Sequence, residues 1–282
     1  MSGPMDNLSK AGKIAGNLGL LLKAERVAHA VMKGMHGRRR TGTGETFWQF
    51  RPWASGDARR DIDWRQSAKR DDVFIRQTEW EAAQTVWLWR DGSASMDFGV
   101  KKEYAETLLL ALGIVFLNGG EQAGLLGTGL APQTGTPAIQ RLFEALSTQT
   151  ELAESARPVA AFSHVILISD FYFPLDALRD FCASLAARHV TGTLVQVFDP
   201  AEKDLPYKGR VRFEDIEGLD MDAADIPQVE AVRAAYTQKF SAHQAALGEM
   251  ARRFGWHFAA FSTGTKPEVS LTQLCGVLGT HA

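Results

Sequence analysis

The chain is poor in most features that announce a chemistry directly. It has only two cysteines, Cys182 and Cys275, far apart and outside any CxxC or Cys/His ligand spacing. That excludes a disulfide scaffold and a zinc ribbon, and it predicts two buried thiols in a reducing compartment, the cytoplasm. No apolar run approaches the ~20 residues of a membrane span. The longest candidate near the start, Leu18 to Leu22, is short and lacks a cleavage-site pattern, so no signal peptide is expected. Neither sign of charge dominates: the formal net charge is −2, which gives no global pull toward nucleic acid or an anionic membrane. There is no internal repeat, no low-complexity tract, no G-x-x-x-x-G-K-[ST] loop and no G-x-S-x-G elbow. These absences exclude a solenoid, a P-loop ATPase and an α/β-hydrolase nucleophile.

The positive signals start with Thr85 to Met96, TVWLWRDGSASM. Thr85 to Trp89 is a β-branched and aromatic run that reads as a buried strand. It empties into Asp91-Gly92-Ser93-Ala94-Ser95. Asp91, Ser93 and Ser95 alternate, so an extended loop points all three the same way. One carboxylate and two hydroxyls form an all-oxygen set of the kind hard divalent cations such as Mg²⁺ accept, with water completing the octahedron. The competing reading is a strand end where Asp and Ser cap the next helix.

The rest of the pattern alternates strands with helices. Helical spacing runs from Leu18 toward Gly34, from Glu103 to Leu117, over Ile139 to Leu146, from Leu175 to Arg188, from Pro227 to about Phe254 and from Val269 to Leu278. Strands are predicted at Val73 to Gln77, Val165 to Ile168, Val190 to Phe198 and Trp256 to Phe261, with weaker ones over Ala123 to Leu130 and Tyr207 to Glu217. Thr136 before Pro137 predicts a helix N-cap. Such alternation implies βαβ units, a largely parallel sheet and ligands at the carboxyl ends of the strands. Two buried strands end in aspartate, Asp91 and Asp170, and a loop with Thr134 and Thr136 lies between them in sequence. The expected domains are an N-terminal helix and accessory segment over 1–82 and an α/β domain over 83–282.

Residues 38–70 are basic and aromatic: Arg38-Arg39-Arg40, Phe47, Trp48, Trp53, Arg59-Arg60, Trp64-Arg65 and Lys69-Arg70. Arginine with interleaved aromatics can bind nucleic acid. Asp57, Asp61, Asp63, Asp71 and Asp72 lie among the bases, however, and this interleaving favours internal pairing or a protein partner. Arg38, Arg39, Arg40, Arg60 and Trp64 are the candidate partner-binding residues.

The D-x-S-x-S motif, with Asp170 after an apolar strand, resembles the metal-ion-dependent adhesion site of von Willebrand factor type A domains. The resemblance implies Mg²⁺ or Mn²⁺ held by Asp91, Ser93, Ser95, a threonine and Asp170, with Thr136 favoured over Thr134. Trp89-Arg90 departs from the small or apolar residues usual before the motif. More closely, Gly56-Asp57, Arg60 to Trp64, Ser67-Ala68, Asp91 to Met96 and Val197 to Glu202 resemble the bacterial family known as domain of unknown function 58. That resemblance covers Gly37 to the C-terminus. It implies a von Willebrand factor type A-like (Rossmann-like) sheet flanked by helices and a MoxR-type AAA+ ATPase as partner. The function expected is a non-enzymatic adaptor whose metal holds a carboxylate on a protein partner. The alternatives are a metal-dependent hydrolase at the same site, which lacks a His or Glu at a motif position as general base, and nucleic-acid binding through the basic segment.

Overall fold

A computed structural model describes residues 19–33, 47–54, 59, 62–69, 72–78, 83–149, 152, 159–213 and 224–278. The chain divides into two compact units, one of residues 1–34 with 84–282 and one of 35–83.

The smaller unit is built on a hairpin. Strand β1 (Phe47–Pro52) pairs antiparallel with β2 (Phe74–Thr78). Between them lies the short helix α2 (Trp64–Ser67), capped by the Asp63 carboxylate, which accepts from the Gln66 N–H at 2.9 Å. The Ser67 hydroxyl accepts from the Phe74 N–H at 2.9 Å and so ties α2 to β2. Asp63 therefore works as a helix cap.

The larger unit begins with α1 (19–33). It is centred on five parallel strands: β3 (Thr85–Arg90), β4 (Gln122–Leu125), β5 (His164–Ser169), β6 (Thr191–Phe198) and β9 (His257–Ser262). Their spatial order is β4-β3-β5-β6-β9. Helices α3 (Lys101–Asn118), α4 (Thr136–Ala145), α5 (Leu175–Ala186), α6 (Pro200–Asp204), α7 (Val229–Arg253) and α8 (Pro267–Leu278) connect and cover them. A small antiparallel pair, β7 (Val211–Phe213) with β8 (Ala224–Ile226), lies between α6 and α7. The mixed α/β class with a parallel sheet is as the strand–helix alternation predicts.

The central strands β3 and β5 carry unbroken apolar runs, Val86 to Trp89 and Val165 to Ile168, because both faces are covered. Trp87 and Trp89 of β3, Val165 and Leu167 of β5 and Leu194 of β6 pack with Leu178, Cys182 and Leu185 of α5 and Leu247 and Ala251 of α7. Leu88 points the other way, where a methyl at Gly113 of α3 would touch both Leu88 and Leu142 of α4. Burial raises the Cys182 thiol to about 12, so it is inert at neutral pH. From β3 the chain crosses outward to β4, then returns past β3 to β5. The β3/β5 boundary is therefore the topological switch point, where loops leave in opposite directions and open a crevice.

Two close contacts yield predictions. Gly192 of β6 lies under the Trp256 indole, whose N–H donates to the Val190 carbonyl at 3.2 Å. A Cβ at 192 would overlap the Trp256 ring. Gly192→Ala should lower stability by about 1–3 kcal/mol in urea unfolding through overpacking. His164 is clamped between the Thr191 hydroxyl at 2.8 Å and the Thr193 hydroxyl at 3.1 Å. Burial, with His257 nearby, holds its imidazole down at about 4. The unfolded chain binds this proton below pH 6.5 and the folded chain does not until pH 4. Folding stability should therefore fall by about 1.4 kcal/mol for each pH unit lowered from 6.5 toward 4. His164→Gln should remove that component of the slope, as measured by urea unfolding at pH 7, 6 and 5.

Candidate functional site

Asp91 leaves β3 still in register, its N–H donating to the Ile168 carbonyl at 2.9 Å. That places its carboxylate on the carboxyl edge of the sheet at the switch point. One oxygen accepts from the Ser169 hydroxyl at 2.6 Å and the other from the Ser93 N–H at 2.8 Å. The second bond folds the loop back on itself, and Ala94–Asp97 follows as a 3₁₀ turn pinned by the fully buried Met96. The Ser93 and Ser95 hydroxyl oxygens then stand 3.0 Å apart. Asp91, Ser93 and Ser95 are thus gathered in one short loop, with Ser95 in the 3₁₀ turn in place of the extended loop that alternate spacing predicts.

Asp170 ends the neighbouring strand and is fully buried. Phe171 after it takes a left-handed backbone (φ 59°), uncommon for an aromatic residue. Two bonds hold that turn: Phe171 N–H to the Ser169 hydroxyl at 2.7 Å, and Tyr172 N–H to the Asp170 carboxylate at 3.2 Å. The second Asp170 oxygen accepts from the Lys101 ammonium at 2.8 Å. Lys101 has no exposed surface, and its ammonium also meets Glu202 at 2.5 Å. The rings of Phe98 and Tyr172 lie 5.7 and 5.4 Å from it. Glu202 closes a capping box on α6 with Asp199. Burial pushes the Glu202 carboxyl up, and the Lys101 hydrogen bond opposes that shift. Gly99 makes the approach possible. It is left-handed (φ 61°), and a Cβ there would meet the Asp199 carboxylate.

Arg90 does not place its charge on the Asp91 carboxylate. Its guanidinium donates to the backbone carbonyls of Asp91 at 3.1 Å and Leu146 at 3.3 Å and pairs with Glu106 at 3.3 Å. Its role is to tie the end of α4 to the end of β3.

Thr136 is not brought to this cluster. Gln133 pairs antiparallel with Ala123, which itself pairs with Val86. Gln133 therefore lies five strand positions, roughly 16 Å, from Asp91 along the sheet. Helix α4 begins at Thr136 and rises about 15 Å over its length, which returns Leu146 to Arg90. Thr134 and Thr136 are both exposed near the start of that climb. Nor is Thr136 the N-cap: Gly135 is, with φ 75°, and Thr136 is the first helical residue. The segment at the carboxyl edge is 146–149 instead. There the Gln149 amide donates to the Leu126 carbonyl at 3.0 Å and the Leu88 carbonyl at 3.4 Å, and its oxygen accepts from the Arg90 N–H at 3.3 Å. Of the partner-binding candidates, Trp64 is 66% exposed. Arg38, Arg39, Arg40 and Arg60 lie outside the described residues.

The donor set can be matched to an ion. Among the described residues no three of His, Cys, Asp and Glu cluster as metal ligands, so a carboxylate-rich Ca²⁺ cage is not built here. One carboxylate with two hydroxyls fits a small hard cation that keeps part of its water, Mg²⁺ or Mn²⁺. Each Asp91 oxygen carries one hydrogen bond above and retains a lone pair.

The family model described as "Protein of unknown function DUF58" matches residues 49–246. The chain belongs to this family. Uncharacterized proteins of Mycobacterium bovis and Mycobacterium tuberculosis are 28% identical to this DUF58 chain over 269 residues, covering 86% of it and 83% of each relative. Among solved structures it is similar to the conserved hypothetical protein BatB of Bacteroides thetaiotaomicron. That match has a TM-score of 0.39 and 12% identity, and it covers 70% of this chain and 100% of that one.

Reading the sequence alone missed Lys101, Glu202, Ser169 and Gln149. Lys101 left one trace: a cation at the first position of a helix opposes the macrodipole and needs a reason. The reason is two carboxylates far along the chain, Asp170 just after β5 and Glu202 in α6. Removing the ammonium strands both. Lys101→Met should therefore cost about 3–5 kcal/mol in urea unfolding, the range for a broken buried ion pair. Adding Glu202→Gln should recover part of that loss.

Proposed function

We propose that this DUF58 protein is a non-enzymatic binding module with a von Willebrand factor type A-like site. A divalent cation, Mg²⁺ or Mn²⁺, is held by Asp91, Ser93 and Ser95 and accepts a carboxylate from a partner protein. The observation that carries this reading is the convergence of one buried carboxylate with two hydroxyls 3.0 Å apart at the switch point. Asp91 is 5% exposed, and no cation of the described residues pairs with its carboxylate. A buried carboxylate without a counter-charge is costly, so a cation from solution is favoured there. One carboxylate leaves a bound divalent ion with net positive charge, and an incoming Asp or Glu is attracted to it.

The partner class in this reading is the one implied by the sequence resemblance, a MoxR-type AAA+ ATPase or a client shared with one. Exposed Trp64 is the described candidate for an accessory protein contact, and the sequence adds Arg38, Arg39, Arg40 and Arg60 as basic candidates. A hydrolytic role finds less support. Glu202 is committed to Lys101 and to its capping box, and His164 starts β5 at the opposite end of the strand from Asp170. Among the described residues no helix is long and apolar enough to cross a membrane.

Calorimetric titration of Mg²⁺ and Mn²⁺ into the protein should give saturable binding, and Asp91→Ala should abolish it. Pull-down with and without chelator should then show ion-dependent capture of the ATPase. Folded wild-type protein that takes up no ion at millimolar concentration would sink the metal reading.

A further inference from the structure

The two aspartates at the switch point do not have the same surroundings. Asp91 has hydroxyl and N–H donors but, among the described residues, no cation on its carboxylate. Asp170, at the end of the next strand, has its cation built in: the wholly buried Lys101 ammonium, 2.8 Å away, shared with Glu202 and walled by the rings of Phe98 and Tyr172. Its other oxygen accepts from Tyr172 N–H, and its backbone carbonyl accepts from the Gln196 amide, itself braced by Gln244.

We propose that Lys101 is the specificity-determining residue of the ion site: a tethered cation that withdraws Asp170 from the ligand set and leaves a one-carboxylate site. This rests on the cation-binding reading above, and it changes what that site does. An ion held by two carboxylates is neutralised and has little hold on a third. An ion held by Asp91 alone keeps positive charge for an anionic group on a partner. Lys101 is thus a positioning residue, acting through Asp170 without touching the ion. Its place at the start of α3, directly after the D-x-S-x-S loop, couples it to that loop by covalent continuity.

The test titrates Mn²⁺ calorimetrically into the full chain as wild type, Asp91→Ala, Asp170→Asn and Lys101→Met/Glu202→Gln, with melting curves to confirm folding. Asp170→Asn should bind within about threefold of wild type, because that carboxylate is not a ligand. The double variant frees Asp170 and should bind about tenfold tighter, since affinity follows ligand charge. Should it fail to melt cooperatively, Lys101→Gln/Glu202→Gln, whose new amide still donates to Asp170, takes its place and must show the same tightening. A loss in Asp170→Asn as severe as in Asp91→Ala overturns the proposal and leaves the ion site standing. Tightening absent from the double variant also overturns it. Binding by the double variant alone, with none by wild type, upholds the role of Lys101 and sinks the native ion site. No binding by any of them sinks both.

Discussion

Burying an ammonium is the constraint on which the carboxyl edge of this sheet depends. A lysine charge taken out of water costs several kcal/mol unless it is paired and hydrogen-bonded. Lys101 has no exposed surface, so its environment must answer that cost. The answer comes from two carboxylates and two ring faces drawn from three places: Phe98 before α3, Asp170 and Tyr172 after β5, and Glu202 in α6. Several local oddities follow from this demand. Gly99 is left-handed and bare because Asp199 closes on it. Phe171 is left-handed because the Asp170 turn must present one oxygen to Lys101 and the other to Tyr172 N–H. Asp199 and Glu202 form a full capping box, which fixes the Glu202 carboxylate where the ammonium needs it.

The sheet supplies the other half of the geometry. Parallel pairing of β3 with β5 in the register Arg90 to Ile168 sets Asp91 level with Ser169, and Asp170 one residue further on. The Ser169 hydroxyl consequently reaches Asp91 across the gap between strands, and the two aspartates cannot drift apart without breaking the ladder. Because the chain reverses direction across the sheet at this boundary, no crossover covers the crevice. Site and fold are thus set by the same hydrogen bonds.

Much of the architecture was legible in the sequence because the physics behind it is local. Unbroken apolar runs such as Val165 to Ile168 mark strands covered on both faces, and the D-x-S-x-S spacing marks a polar loop at a strand end, although the fold-back onto Asp91 and the 3₁₀ turn replace the extended loop expected from it. Thr136 shows where local reading stops. Its pattern with Pro137 is a fair helix start, yet its position depends on Gln133 pairing back along β4, a bridge that no composition signal announces. That single pairing carries the loop down the sheet and sends the end of α4, not its beginning, to the edge beside Arg90. Lys101 was hidden for the same reason: its partners lie 69 and 101 residues away. Arg90 was legible as a cation beside the motif, but its charge is met by Glu106 and its two terminal nitrogens donate to carbonyls, so proximity in sequence overstated its influence.

The internal cation also bears on why the fold need not depend on an ion from solution. In a site whose carboxylates all await metal, losing the metal leaves several buried charges facing one another, and the surrounding loops must open. Here the most deeply buried carboxylate is already matched by Lys101, and the structural cross-link between α3, β5 and α6 is complete without an ion. Only Asp91 and its two serines are left to respond, and they lie on one short loop anchored at Met96. Under the proposed ion binding, uptake would alter charge at the crevice without rebuilding the sheet edge.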